Sequence, residues 1–213
     1  MRGLILVARR WEAALGPVHR DAGLYLFAGL LLVAGIVTGA LAVRVMAPAE
    51  RAALVGDVRA VAAGLASGAA VSGRTVLGWA LANNMRVAGL LWLLGATVVG
   101  IPAVLVVLFL RGFAIGFTAG LLARELGAAG VVLASLTMLP SSLLALPALV
   151  GLGASALSFS LFLIRRGAHS RLPRELLRYT LFSCAMAILL FLASLIESYL
   201  APAFIRLLGP VLG

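Results

Sequence analysis

The chain has 213 residues, of which 63% are hydrophobic and 11% charged, with a mean hydropathy of +1.17; an ordinary soluble domain is about 45–50% apolar and about 25% charged. This composition excludes a soluble globular protein, a disordered chain and a coiled coil, and points to an all-α integral membrane protein crossing a hydrocarbon layer of about 30 Å several times. The net charge of +10 comes from 17 basic residues, all arginine, scattered between apolar runs rather than gathered on one face, which argues for membrane topology and against nucleic acid.

In chain order, the N-terminal stretch places Leu4, Val7, Ala8, Trp11 and Leu15 at helical spacing among Arg2, Arg9, Arg10 and Glu12, as in a short helix lying on a membrane surface or a basic anchor. A first span follows over 24–43, inside an uncharged run too long for the apolar core of a signal peptide and closed by Arg44. The loop 44–75 is the one sizeable polar connection. Within it Leu54, Val58, Val61 and Leu65 recur every three or four residues, so an amphipathic helix is expected after Pro48, ending near Ser67 and Gly68.

A second span is expected over 76–110, entering the membrane near Asn83, Asn84 and Arg86 and closed by Arg111. The next apolar stretch is divided by Pro140 and Pro147 into a broken third span, 112–138, and a fourth, 141–164. Five arginines then crowd residues 165–178 before a last span over 176–200. The whole is one polytopic domain of about five spans, with termini on opposite sides.

A cytoplasmic N-terminus puts ten arginines inside and six outside, with Arg124 left in the broken span; the acidic residues divide evenly and do not vote. The positive-inside rule therefore favours a cytoplasmic N-terminus and exports both the 44–75 loop and the C-terminus.

Chemistry-bearing groups are sparse. His19 and His169 sit in arginine-rich flanks, no HExxH or cysteine pair is present, and Cys184 is the single cysteine, so neither a metal, nor a cofactor, nor a disulfide is expected. Ser141 and Ser142 follow Pro140 without a visible base or oxyanion site, and are expected to cap the fourth span rather than act as nucleophiles. Arg124 and Glu125 are the only charges between Arg111 and Arg165, and such a pair at membrane depth would motivate a small-solute channel or transporter; a break in the third span exposing them to water or headgroups is the favoured account. Gly112, Gly116 and Gly120 form a stripe that lets another backbone approach closely, with Gly35 and Gly39 as a second pair; packing within the subunit is favoured over homo-oligomerisation, which stays open.

The block from Ala88 to Gly127, AGLLWLLGATVVGIPAVLVVLFLRGFAIGFTAGLLARELG, resembles the bacterial stage II sporulation protein M family. Three further places agree: Tyr25 to Gly39, the Leu139 to Ala148 segment with its two prolines, and the closing Ile196 to Pro202. Where many members of the wider family carry His-Gly and a glutamate between the prolines, this chain has Ser141, Ser142 and Ala145, which places it nearer the sporulation branch. The resemblance implies a non-enzymatic scaffold in the cell membrane, at the sporulation septum and the engulfing mother-cell membrane. It would gather the peptidoglycan-degrading stage II sporulation proteins D and P during endospore formation. On that expectation the exported docking surface comprises Leu54, Val58, Val61 and Leu65 of the loop with Glu197, Tyr199 and Pro202 near the C-terminus.

Overall fold

The computed structural model of the protein describes residues 21–56, 73–97, 99–125, 127–165 and 172–208. Every element among them is helical: α1 (Ala22–Val45), α2 (48–56), α3 (Gly73–Gly95), α4 (Gly100–Glu125), α5 (Gly127–Arg165) and α6 (Leu172–Leu208). Four of them, α1, α4, α5 and α6, contain stretches long and apolar enough to cross a membrane. The fifth long helix, α3, does not reach that apolarity because Arg74, Asn83, Asn84 and Arg86 lie along it.

The five long helices alternate in direction. Gly35 and Gly39 of α1 face Gly112 and Phe117 of α4, and Ala40 faces Gly120, so α1 and α4 run parallel. Trp92 of α3 meets Thr180 of α6 while Asn84 meets Ser194, so those two run antiparallel. One end of the bundle therefore gathers the start of α1, the 96–99 turn and the start of α6. The other gathers the ends of α1, α4 and α6. Ser158 donates to Asp21, just ahead of α1, and Ser160 two residues on donates to carbonyls of the 96–99 turn, which sets that turn level with the beginning of the uncharged run of α1.

Three helix boundaries differ from the sequence expectation. The stretch 76–110 is not one helix; it reverses at 96–99, where Thr97 Oγ1 donates back to the Leu94 carbonyl at 2.8 Å and the Gly100 amide reaches the Thr97 carbonyl at 3.2 Å. Gly100 and Pro102 then open α4, the proline in the first turn, where a missing N–H costs nothing. Secondly, Arg111 closes nothing: α4 passes through it to Glu125. Its run of apolar residues on both flanks carries the helix on. Thirdly, the expected broken span 112–138 is two antiparallel helices, one ending at Glu125 and the next opening at Gly127, which adopts a φ of 55° that a side chain would oppose. Pro140 and Pro147, expected to divide two spans, both lie inside the continuous α5, as prolines can in membrane helices whose neighbours and hydroxyls compensate the lost hydrogen bonds.

The core is built around the second half of α5. Ala148, Leu149, Leu152, Ala154, Ala156, Leu157, Phe159 and Ser160 are all buried, so this stretch is covered on every face by α1, α3, α4 and α6. Small residues make that possible: a Cβ on Gly151 would meet Met186 Sδ of α6 at 2.8 Å, and one on Gly153 would press on Leu108 Cδ2 of α4 at 3.0 Å. Conversely, large apolar side chains of α1 and α6, among them Leu26, Leu30, Val33, Leu177, Leu181 and Ile188, point outward, the arrangement of helices whose outer solvent is lipid.

Hydroxyls away from helix contacts return to their own helix. Thr38 donates to Ala34, Thr118 to Ala114, Ser155 to Leu152 and Ser141 to Met138, the last at 3.1 Å. Ser141 and Ser142 thus cap no helix start, since α5 is already under way; the Ser141 hydroxyl serves a carbonyl beside Pro140 instead.

Candidate functional site

The inner face of α3 repeats at helical spacing through Asn84, Ala88, Leu91 and Gly95, all buried. That face meets α6, whose buried residues include Tyr179, Ser183, Leu190, Ser194 and Ser198. Two helices with polar residues on the contacting faces must pair them, because lipid supplies no donors or acceptors. The pairing is made at two levels, with the buried Ser183 hydroxyl between them left without a partner among the described residues. Near the 96–99 turn, Tyr179 Oη donates to the Trp92 carbonyl at 2.8 Å and Trp92 Nε1 donates to Thr180 Oγ1 at 3.2 Å. Fully buried Ser160 of α5 serves the carbonyls of Gly95 and Thr97 at 2.9 and 3.1 Å. Tyr179 also stacks on Phe159, ring centroids 4.7 Å apart and 4° from parallel.

The second level holds a charge. Arg111 Nη2 of α4 donates to Asn84 Oδ1, Asn84 Nδ2 donates to Ser194 Oγ at 2.8 Å, and Ser194 Oγ passes its own proton to the Leu190 carbonyl at 2.9 Å. Ser198 Oγ donates to the Ser194 carbonyl at 2.7 Å. The order is forced. A guanidinium has donors only, so it takes the amide oxygen; the amide nitrogen must then find an acceptor, and Ser194 is free to accept because its proton is committed to its own helix. Glu197 follows Ser194 by three residues on α6 and is exposed. Arg111 stands eleven residues into the 26-residue α4, about 16 Å from its start and near the middle of a 30 Å layer.

The sequence does not announce this clamp of three helices, because an arginine at the end of an apolar run reads as a span boundary. The available signal was Asn84 on an otherwise apolar face together with Ser194 and Ser198 spaced four apart in the last apolar run.

The expected site residues fall in four places. Gly35 and Gly39 lie directly on Gly112 and Phe113 of α4, and Gly116 on Ile36, so closely that an added Cβ would collide with backbone; Gly120 sits 3.0 Å from Ala40 Cα by the same measure. Leu54 is half-buried on α2, which begins at Pro48, while Val58, Val61 and Leu65 lie outside the described residues. Glu197 and Tyr199 are exposed, and Pro202 is within α6, which continues past residue 200 to Leu208. Glu125, the last residue of α4, pairs with Arg51 of α2 at 3.5 Å, so the Arg124 and Glu125 pair ends a helix rather than interrupting one. Among the described residues no three His, Cys, Asp or Glu side chains converge as metal ligands would.

The glycine contacts between α1 and α4, the prolines of α5 and the polar close of α6 lie in the regions on which the family resemblance rests. The sequence model of stage II sporulation protein M matches residues 28–202, most of the chain. The chain belongs to the stage II sporulation protein M family. The matched region takes in the Arg111 clamp, the whole of α3 to α5, and α6 as far as Pro202, so the arrangement described is that of a sporulation-family membrane protein. Among curated proteins and among solved structures, none matches the chain.

Proposed function

We propose that this stage II sporulation protein M family member is a non-enzymatic scaffold of the cell membrane that recruits and positions peptidoglycan hydrolases at the septal and engulfing membrane during endospore formation. Family membership over residues 28–202 carries the reading. In this reading the partners are the stage II sporulation proteins D and P, the N-terminus is cytoplasmic, and the C-terminus is extracytoplasmic.

The geometry supports it in one respect. The 46–72 connection leaves from the end of α1 and the 197–208 segment from the end of α6, and both ends lie on the same side of the bundle. The Arg51 to Glu125 pair holds the start of that connection against the end of α4. Two segments presented together on one side suit a platform for an extracytoplasmic enzyme better than two on opposite sides would. The channel reading drew on Arg124 and Glu125 at membrane depth, and their place at the end of α4 gives it no such support.

The test is capture of the two hydrolases by affinity-tagged full-length protein from detergent-solubilised membranes of sporulating cells. Replacing Leu54, Val58 and Leu65 together by Asp, or Tyr199 by Ala, should reduce capture at least several-fold while the protein stays in the membrane. Undiminished capture by both variants would remove these segments as the docking surface, and no capture by the wild type would remove the scaffold reading.

A further inference from the structure

We propose that the outward face of α3 is an intramembrane docking site for a membrane-spanning helix of another protein that carries a carboxylate midway along its length. The observation is a second arginine at membrane depth. Arg86 lies ten residues from Ala96, about 15 Å along the helix axis. The 96–99 turn from which that distance runs is level with Asp21, where the uncharged run of α1 begins. Half of a 30 Å layer therefore separates Arg86 from either surface.

Unlike Arg111, Arg86 faces out. Trp79, Asn83, Arg86, Leu90 and Leu93 recur at spacings of four, three, four and three, and all five are exposed. Among the described residues neither Asn83 nor Arg86 has a hydrogen-bond or ion-pair partner. A guanidinium and an amide directed at lipid, in the middle of the layer, carry an insertion penalty that a partner offering acceptors would remove. Gly89 lies within the same face, and a Cβ built on it meets nothing within 4 Å, which leaves room for a second helix to approach the backbone.

Charge decides what the occupant brings. Arg86 has five donors and no acceptor, and the Asn83 amide nitrogen gives two more hydrogens, so a carboxylate accepts from both and balances the guanidinium charge, which a hydroxyl or a second amide does not. A second copy of this chain is the wrong occupant. The described carboxylates at helix ends, Asp21, Glu50, Glu125 and Glu175, lie away from this depth. Glu197 lies on α6 one turn past Ser194, the residue that pairs with Asn84 on the inner face of α3. Two copies meeting through α3 would set Arg86 against Arg86. The site stands whether or not the 46–72 and 197–208 segments hold a hydrolase.

The experiment places the full-length protein, donor-labelled, in lipid vesicles with an acceptor-labelled synthetic helix of alternating leucine and alanine carrying one central glutamate, and reads association by energy transfer. Otherwise identical helices with leucine or lysine at the centre are the controls. The wild type should bind the glutamate helix about tenfold more tightly than the leucine helix. Arg86→Leu and Asn83→Leu should each lose most of that preference, and Arg86→Glu should move it to the lysine helix, a reversal that misfolding cannot produce. Equal binding of the glutamate and leucine helices by the wild type overturns the proposal. So does subunit counting that finds wild-type dimers which Arg86→Leu converts to monomers, since the occupant would then be a second copy.

Discussion

Two helix contacts in this molecule answer the same difficulty, the lack of a hydrophobic drive between helices in lipid, by opposite means. Between α1 and α4 there is almost nothing but backbone: Gly35, Gly39, Gly112 and Gly116 bring the two main chains together, and a Cβ on Gly116 would stand 2.7 Å from Ile36 Cα. Between α3 and α6 the side chains are kept and made to pair, through Tyr179, Thr180, Asn84 and Ser194, with Arg111 of α4 drawn in. The first contact gains dispersion from close approach and tolerates no added atom. The second gains directional bonds and tolerates no unpaired one.

The glycine contact should therefore fail abruptly. Gly116→Leu forces α1 and α4 apart, and overpacking of this kind costs about 1–3 kcal/mol or more for each forced shift; here backbone meets backbone, so the upper end applies. The expected result is loss of monodisperse protein in detergent chromatography. Gly29→Leu on α1, where a Cβ meets nothing within 4 Å, should elute as the wild type does. Equal behaviour of the two variants would show that α1 and α4 are not held by close approach.

The polar contact should fail in a graded and partly reversible way. Asn84→Leu strips the half-buried Arg111 of its acceptor and Ser194 of its donor at once, and leaving a charge without its partner costs up to about 3–5 kcal/mol where it is buried. Arg111→Leu in addition should recover a substantial part of the loss, because two apolar side chains replace an unpaired polar pair. Thermal unfolding of both single variants and the double variant measures the coupling. Strict additivity would show that the hydrogen bond carries no weight. Tyr179→Phe and Ser160→Ala, which release the carbonyls of Trp92, Gly95 and Thr97, should cost only about 0.5–2 kcal/mol each, the range of single hydrogen bonds between membrane helices.

The same contrast explains what could be read from the sequence. The glycine contact was legible because small residues at four-residue spacing have one meaning in an apolar run, and Gly112, Gly116 and Gly120 sit against α1. The all-helical class was legible for a similar reason, apolar length. The clamp was not, since Asn84 and Arg111 are 27 residues apart and Asn84 and Ser194 are 110 apart, and nothing local relates them. Arginine misled as well. Charge in an apolar sequence reads as an end of a span, yet Arg111 is held inside α4 by an amide from another helix. The prolines misled in the same direction: Pro140 and Pro147 read as breaks, while the actual reversals rest on the Gly95 to Gly100 turn and on Gly127.

The smallest expected effect lies at the bundle end where the two contacts meet water. Arg51 and Glu125 pair at 3.5 Å with side chains 14% and 29% exposed, so Glu125→Gln should change global stability by no more than about 1 kcal/mol. Its consequence is local. The pair ties α2 to α4, and without it the described part of that connection, residues 46–56, keeps its covalent attachment to α1 and the partial burial of residues such as Leu54. Protease should then cut within residues 46–72 several-fold faster in the Glu125→Gln variant, with the unfolding temperature nearly unchanged, and raising the salt concentration should bring the wild type toward the variant as the ion pair is screened. A cleavage rate indifferent to both the substitution and the salt would mean that α2 is held by its apolar contacts, and the ion pair would then be a consequence of its position rather than the cause.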